Sequence, residues 1–282
     1  MDEAGTIQVL DGGRILAELG PMSLVIQGHI GQVPQMADCI KAAKESFSYL
    51  RRIAFFKEEL RKPAYILNHQ MADPLVRSMR DAVAIVASHE LTPMAAVAGT
   101  ISEYVAHFLA SRGLSRVIVN NGGDIAVILT PGNHVRVGVL QGSTAFKHCP
   151  VLRLDPTYTS WGIATSGLGG RSLTTGVATS VTVLAKQASI ADAAATLVAN
   201  ASFVEHQGVT QVPGITLDPH TDIPDKMVTL CARLPVSKRE EAVERALAKA
   251  AALLRAGIIL GAYVNVQGVE GSAGVWDELI EQ

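Results

Sequence analysis

Three segments of the chain combine residue types that could bind a nucleotide and a cation. The first contains Asn121, Gly122, Gly123 and Asp124 between two apolar runs. Two adjacent glycines allow positive φ angles and the close approach of a ligand or another backbone. The same run is also typical of a hairpin turn, so these residues alone leave both interpretations open.

The second segment covers residues 164–172 and is rich in hydroxyl groups and glycine. It contains Thr165, Ser166 and Gly167, with Arg171 near its end. Consecutive N–H groups and hydroxyls can form an anion-binding concavity, in which an arginine can clamp a phosphate. The spacing is not that of a Walker loop, because no lysine precedes a Ser or Thr. A surface loop is the alternative interpretation.

The third segment, residues 191–196, contains Asp192 and Thr196. On a helix, residues four apart lie on one face, so this carboxylate and hydroxyl would be neighbours. Oxygen ligands of this kind suit magnesium, which is often held by one or two protein oxygens with phosphates and waters. Alternatively, Asp192 favours the positive end of a helix dipole. A further acidic loop, residues 218–225, favours a solvated turn over a cation site.

Composition argues against several classes of protein. The chain has 282 residues, a net charge of -2 and 48% hydrophobic residues, which favours one compact unit and argues against nucleic acid or membrane partners. Cys39, Cys149 and Cys231 are widely spaced, and the eight histidines show no zinc-ligand spacing. No secretory signal is visible, so we expect a soluble, cytoplasmic protein.

Hydrophobic periodicity predicts an alternation of strands and helices. Glycine turns separate strands at 7–10, 14–19 and 22–29, which predicts an antiparallel meander. Helices are predicted from Pro34 to Phe55 and over 74–87, 93–109 and 191–201. A capping box of Ser237 and Glu240 opens another helix, which stops at Gly257. The remaining strands are predicted at 117–120, 125–129, 135–140, 162–164, 180–185 and, last, 264–269.

Taken in order, these segments resemble the ApbE-like superfamily, which includes flavin transferases and thiamine biosynthesis lipoprotein-like proteins. The resemblance runs from about Pro93 to Ala201 and rests on four stretches. Their sequences are P-M-A-A-V-A-G from Pro93, N-G-G-D from Asn121, A-T-S-G from Ala164 and A-D-A-A-A-T from Ala191. The first and last are most similar to one prokaryotic branch of the superfamily, where the similarity extends across most of the chain.

The resemblance implies an α+β fold with mixed or antiparallel sheets packed with helices, a duplicated T-fold-like arrangement being one option. It implies a single domain over residues 1–282, with the site between two lobes. It also implies Mg²⁺ bound by Asp192, Thr196 and the backbone carbonyl of Ala98. The ligand would be a diphosphate nucleotide such as FAD, as substrate or bound ligand, and a protein acceptor is a further partner. The residues that would border the nucleotide are Pro93, Met94, Asn121, Gly122, Gly123, Asp124, Thr165, Ser166, Gly167 and Arg171.

Two departures from the family pattern concern the reaction. Flavin transferases have a Lys-Gly pair where this chain has Gly99 and Thr100. They also have an H-x-x-D-P-x-T-G stretch where residues 171–176 retain only a T-G. No catalytic residue is therefore assigned. Magnesium-dependent flavinyl or nucleotidyl transfer, or diphosphate hydrolysis, is expected, with a non-catalytic flavin-binding or assembly protein as the alternative.

Overall fold

The computed structural model describes residues 4–67, 71–87, 89–139, 150–170 and 172–281. Arg171 and Cys149 lie outside these ranges. The strands are β1 (Thr6–Val9), β2 (Ile15–Leu19), β3 (Met22–Ile30), β4 (Val33–Pro34), β5 (Arg116–Asn121), β6 (Asp124–Leu129), β7 (Val135–Gly138), β8 (Val151–Leu154), β9 (Ser160–Ser166), β10 (Ser180–Ala185), β11 (Val209–Pro213), β12 (Met227–Ala232), β13 (Gly261–Val266) and β14 (Val269–Gly274).

The α-helices are α1 (Met36–Phe55), α2 (Lys57–Leu60), α3 (Pro74–Ala87), α4 (Val97–Ser111), α5 (Ala188–Ala201), α6 (Gly214–Leu217), α7 (Val236–Arg255) and α8 (Trp276–Leu279). Short 3-10 turns occupy Asp11–Gly13, Ala64–Ile66 and Pro93–Ala96.

One antiparallel sheet runs through the molecule in the order β1-β2-β3-β5-β6-β9-β10-β13-β14, with β4 paired to β3. Two four-stranded halves share the same connectivity. In each half a hairpin is followed by helices and then by a second hairpin: β2–β3 with β5–β6, and β9–β10 with β13–β14. The halves join where β6 pairs antiparallel with β9. This repeat matches the T-fold-like duplication that the resemblance implied.

Helices α1, α4, α5 and α7 pack against one face of this sheet. Strand β3 alternates buried and partly exposed residues, as a strand with one covered face should. Strands β10 and β13 are buried throughout. On the opposite face, apolar residues of β6, β9, β10 and β13 pack against the β7–β8 hairpin and Trp276 of α8, which cover the sheet there.

The meander and the helix over 74–87 are confirmed by the structure. Three details are wrong. Pro34 ends the short strand β4, which pairs with β3, so the first helix starts only at Met36. The helix predicted to open at Ser237 begins at Val236 behind Pro235, and no side chain caps it, which leaves Ser237 inside the first turn.

The third error is the last strand, which was predicted to run over 264–269. Residues 267 and 268 form a turn between β13 and β14, with φ of 51° at Gln267 and 89° at Gly268. The alternation of Val264 and Val266 is in fact broken at Gly268, since Val269 follows Val266 by three residues. Within the described ranges, no helix combines the length and apolar character needed to cross a membrane.

Candidate functional site

A cavity of about 740 Å³ opens on the helical side of the molecule, and both halves contribute to its lining. From the first half come the β2–β3 turn, the end of α1, α2 and the start of α4. From the second half come residues 172–175, one side of α5 and residues 218–226. Its volume is typical of pockets that hold small molecules.

Asp192 of α5 lies on this lining and caps the start of α4. Its carboxylate accepts a hydrogen bond of 2.9 Å from the Gly99 N–H and a second from the Ala98 N–H. The residue before α4 is Ala96, which has no side chain able to cap the helix. Asp192 therefore satisfies donors that the helix start would otherwise leave without a partner.

The close approach of α4 and α5 explains the glycine at position 99. A Cβ at Gly99 would lie 2.2 Å from the Ala188 carbonyl oxygen and 2.8 Å from the Asp192 Cβ. The absence of a side chain thus lets the Asp192 carboxylate reach the backbone of α4. The contact is reciprocal, because Glu103 of α4 accepts hydrogen bonds from the Ser189 N–H at 3.1 Å and the Ser189 hydroxyl at 2.9 Å, near the start of α5.

Asp124 brings a second carboxylate to the lining, from the end of the β5–β6 turn. Gly122 and Gly123 form that turn with φ of 66° and 115°, a conformation that favours glycine. The Asn120 side chain accepts a hydrogen bond of 2.8 Å from the Gly123 N–H. At the end of the turn, the Ser102 hydroxyl of α4 donates a hydrogen bond of 2.8 Å to the Asp124 carbonyl oxygen. The turn interpretation is thus correct, and the turn also delivers Asp124 to the cavity.

The electrostatics of this corner favour a cation. Burial raises the pKa of Asp192 well above its ordinary range, and the negative charge of Asp124 raises that pKa further. The N–H groups of Gly99 and Ala98 act in the opposite direction. The two carboxylates repel each other when both are charged, and a divalent cation bound at this corner would remove the repulsion.

Thr196 lies one turn after Asp192 on α5 and also lines the cavity. Within the described residues its hydroxyl has no hydrogen-bond partner. The Ala98 carbonyl oxygen accepts a long hydrogen bond of 3.5 Å from the Asn121 side chain. The magnesium assignment of Asp192, Thr196 and Ala98 remains a prediction, although all three residues line one cavity.

The residues predicted to border the nucleotide divide into two groups. Met94 and Asp124 are on the lining. The described residues outside the lining are Pro93, Asn121, Gly122, Gly123, Thr165, Ser166 and Gly167. Thr165 instead hydrogen-bonds to Thr182 of the neighbouring strand at 2.8 Å. Arg171 lies outside the described residues, so its assignment stays a prediction.

The T-G stretch retained near position 175 packs against the end of α5. The Thr175 N–H donates to the Asn200 side chain at 3.0 Å, and the Thr174 hydroxyl does so at 3.2 Å. A Cβ at Gly176 would lie 1.8 Å from the Ala199 carbonyl oxygen. Packing alone therefore accounts for this glycine.

Sequence reasoning missed several lining residues. Asn200 continues the stripe of Asp192 and Thr196 at the same four-residue spacing, so the helical pattern could have found it. The loop at 218–226, expected to be solvated, brings Asp218, His220 and Asp222 to the lining. No local pattern indicated this, because the loop's position depends on contacts with residues more than one hundred positions earlier.

The described part of the chain has no cluster of three or more His, Cys, Asp or Glu side chains that could hold a metal. A site made of protein ligands alone, as zinc requires, is therefore not supported there. Magnesium differs, because it usually keeps several waters and takes one or two carboxylates plus phosphate oxygens. The Asp124 and Asp192 corner fits that second pattern.

Comparison with known proteins identifies the family of this chain. The family described as AbpE bacteria matches residues 7–274, nearly the whole chain. The chain belongs to that family. Its expected place among ApbE-like proteins is thereby confirmed.

Two curated relatives support this membership. The UPF0280 protein of Methanococcoides burtonii is 31% identical over 179 residues, covering 60% of this chain and 72% of the relative. The UPF0280 protein of Methanococcus vannielii is 43% identical over 113 residues, which cover 38% of this chain and 44% of the relative. The chain spans about half the length of the first curated relatives that it matches.

A solved structure confirms the fold. The apo form of the flavinyl transferase ApbE from Pseudomonas stutzeri covers 100% of both chains, with a TM-score of 0.54 and 14% sequence identity. At that identity the likeness establishes the ApbE-like α+β fold alone.

Proposed function

We propose that the cavity binds a diphosphate-containing nucleotide of the FAD class together with magnesium. The observation that carries this proposal is the corner formed by Asp192, Thr196 and Asp124 on the lining of one large cavity. Side-chain oxygens from two halves of the chain meet there beside the start of α4. The ApbE-like fold, which the chain shares with a solved flavinyl transferase, supports a flavin as ligand.

Magnesium would be held by the carboxylates of Asp192 and Asp124, the Thr196 hydroxyl and the Ala98 carbonyl oxygen. When bound, it would supply charge neutralisation to a diphosphate. The protein's own contribution is positioning. The reciprocal caps fix α4 against α5, so the Asp192 carboxylate is held before a ligand arrives. Ser102 of α4 holds the backbone of Asp124 through its carbonyl oxygen.

The rest of the lining suits a nucleotide with a flat ring. Leu19, Leu50, Ile53, Met94 and Val97 give it an apolar part, and its polar part includes Asn200 and Thr175. A cavity with mostly apolar walls and a few polar groups is typical of cofactor sites. Flavinyl or nucleotidyl transfer to an acceptor, including a protein acceptor, and diphosphate hydrolysis are all compatible with such a site.

The binding proposal is tested by measuring Tm with FAD alone, magnesium alone and both together, alongside the absorption spectrum of the purified protein. A specific ligand at about one hundred times Kd should raise Tm by about 5 °C. We expect the full shift only with FAD and magnesium present together. No shift with any combination, and no flavin absorption, would overturn the proposal.

Asp192→Asn tests the metal ligand with little disturbance of the fold. The amide oxygen can still accept from the Gly99 N–H, while the carboxylate charge is lost. We expect Tm without ligand to change little and the magnesium-dependent part of the FAD shift to disappear. Glu103→Gln is the matched control, because Glu103 caps α5 as Asp192 caps α4 but does not line this cavity. Equal loss in both variants would mean that Asp192 is only a cap.

The second candidate is a flavin-binding or assembly protein without catalysis. It is favoured by the 172–176 stretch, whose T-G residues make structural contacts. Catalysis is favoured instead by His220 and Asp222 on the lining. Incubation with FAD and magnesium separates the two, since an enzyme that splits the diphosphate releases AMP, FMN or both, and a carrier releases neither. The expected cytoplasmic location is part of the same proposal.

A further inference from the structure

A second charged part of the cavity lies on the side of α1 and α2. Arg51 is near the end of α1 and Lys57 is the first residue of α2, and both side chains line the cavity. Phe56 is the single residue between α1 and α2. We call Arg51 and Lys57 the basic wall.

The other two cationic side chains of the cavity have protein partners within the described ranges, whereas those of the basic wall have none there. The Arg61 guanidinium donates to the Thr221 carbonyl oxygen at 2.6 and 3.2 Å, and the Lys226 ammonium donates to the Glu90 carbonyl oxygen at 2.6 Å. Among the described residues, neither the Arg51 side chain nor the Lys57 side chain has a hydrogen bond or an ion pair. A cationic side chain on a concave surface without a protein partner attracts an anion.

Helix electrostatics explain only part of the placement of these two residues. A cation near the end of α1 gains from the helix dipole, which accounts for Arg51 in part. Lys57 lies in α2, whose four residues are too few for a helix dipole to account for its position. Arg52, between them in sequence, already forms an ion pair of 2.6 Å with Asp73 away from the cavity lining.

The net charge of the lining, once a divalent cation is bound, also favours an anion. The cavity has four Arg or Lys side chains and four Asp side chains. A divalent cation at the Asp124 and Asp192 corner would leave the lining with excess positive charge. A ligand that carries phosphate as well as the metal-bound group would neutralise it.

We propose that Arg51 and Lys57 form a phosphate subsite, which binds a phosphoryl oxygen of the ligand that the metal does not hold. This inference rests on the proposed function, because the diphosphate nucleotide is the ligand that the subsite completes. It places the phosphate recognition on α1 and α2 and not in the glycine-bearing segments at 121–124 and 165–167, most of which lie off the lining.

The test compares three probes on the wild type and on the double variant Arg51→Ala/Lys57→Ala by isothermal titration calorimetry. The probes are FAD with magnesium, inorganic pyrophosphate with magnesium, and riboflavin, which has no phosphate. We expect the double variant to bind FAD and pyrophosphate about tenfold more weakly or worse, which is typical for the loss of a hydrogen bond to a charged group. Its affinity for riboflavin should equal that of the wild type.

The matched control is Lys44→Ala/Lys62→Ala, which removes the same charge from exposed positions on α1 and after α2 that do not line the cavity. It should bind all three probes as the wild type does. Equal weakening of FAD and riboflavin in the Arg51→Ala/Lys57→Ala variant, or no weakening of FAD and pyrophosphate, would overturn the subsite. Tm without ligand checks that each variant is folded.

Failure of the proposed function would leave a different result. If the wild type binds pyrophosphate but not FAD, and the double variant loses that binding, then the subsite stands and the FAD proposal fails. If the wild type binds neither FAD nor pyrophosphate, both the subsite and the proposed function are overturned.

Discussion

At the scale of single residues, the absence of a side chain at Gly99 matters both for helix packing and for the candidate site. The sequence presented Gly99 as a departure from a Lys-Gly pair, and its role becomes visible only against Ala188 and Asp192. Any side chain there would separate α4 from α5 and move the Asp192 carboxylate off the backbone it caps. Position 99 is thus restricted by the helix contact, whatever reaction the protein performs.

Gly99→Ala should destabilise the protein by about 1–3 kcal/mol, the usual cost of overpacking a close contact. Urea unfolding at pH 7 measures this change. Gly138→Ala is the control, since a Cβ there would have no neighbour within 4 Å and its φ lies outside the left-handed region. Similar unfolding midpoints for the two variants would mean that α4 and α5 can move apart at little cost.

At the scale of elements, α3 depends on a carboxylate that serves two purposes. Asp73 accepts hydrogen bonds from the Leu75 N–H at 2.9 Å and the Val76 N–H at 3.4 Å, and so caps the helix start. The same carboxylate accepts 2.8 and 2.6 Å hydrogen bonds from Arg52 of α1. The Arg52 hydrogen bond is the main cause that lowers the pKa of Asp73 below its usual 3.8, and the two N–H groups lower it further.

This lowered pKa makes stability depend on pH. Because the folded-state pKa is lower than the unfolded value of 3.8, the stabilisation is fully present above that value and is lost as the pH falls through the folded-state pKa. Asp73→Ala should cost about 1 kcal/mol at pH 7 through the lost cap. Asp73→Asn keeps the acceptor and should remove the pH dependence below 3.8 that Asp73 contributes. Tm profiles from pH 2 to 7 would contradict this if wild type and Asp73→Asn stay parallel.

At the scale of the whole molecule, sequence patterns predicted the elements much better than their relative positions. The helix over Pro74–Ala87 and the β5–β6 turn follow from local signals: apolar spacing and two glycines. The corner of Asp124 and Asp192 joins residues that are distant in sequence, and only the motif resemblance brought both into one site. The basic wall and the 218–226 loop had no such motif, because tertiary contacts alone bring them to the cavity.

The 218–226 loop also connects the two halves of the molecule. The loop follows strand β11 and helix α6 in the chain. Hydrogen bonds from three side chains join it to the first half. Arg61 donates to the Thr221 carbonyl oxygen, Lys226 to the Glu90 carbonyl oxygen, and the Thr92 hydroxyl to the Asp222 carboxylate. Because the loop lines the cavity, the order of its backbone should matter for ligand affinity.

Arg61→Ala removes both hydrogen bonds to Thr221 and should loosen this connection without unfolding the core. We expect amide exchange across residues 214–227 to accelerate about tenfold, since local opening there loses hydrogen bonds to a charged group. Hydrogen exchange with mass spectrometry measures this, and Arg255→Ala, at the exposed end of α7, is the control. Addition of FAD and magnesium should restore part of the protection if the ligand lies under the loop. Unchanged exchange in 214–227, or acceleration spread evenly over all strands, would show that Arg61 does not hold the loop in place.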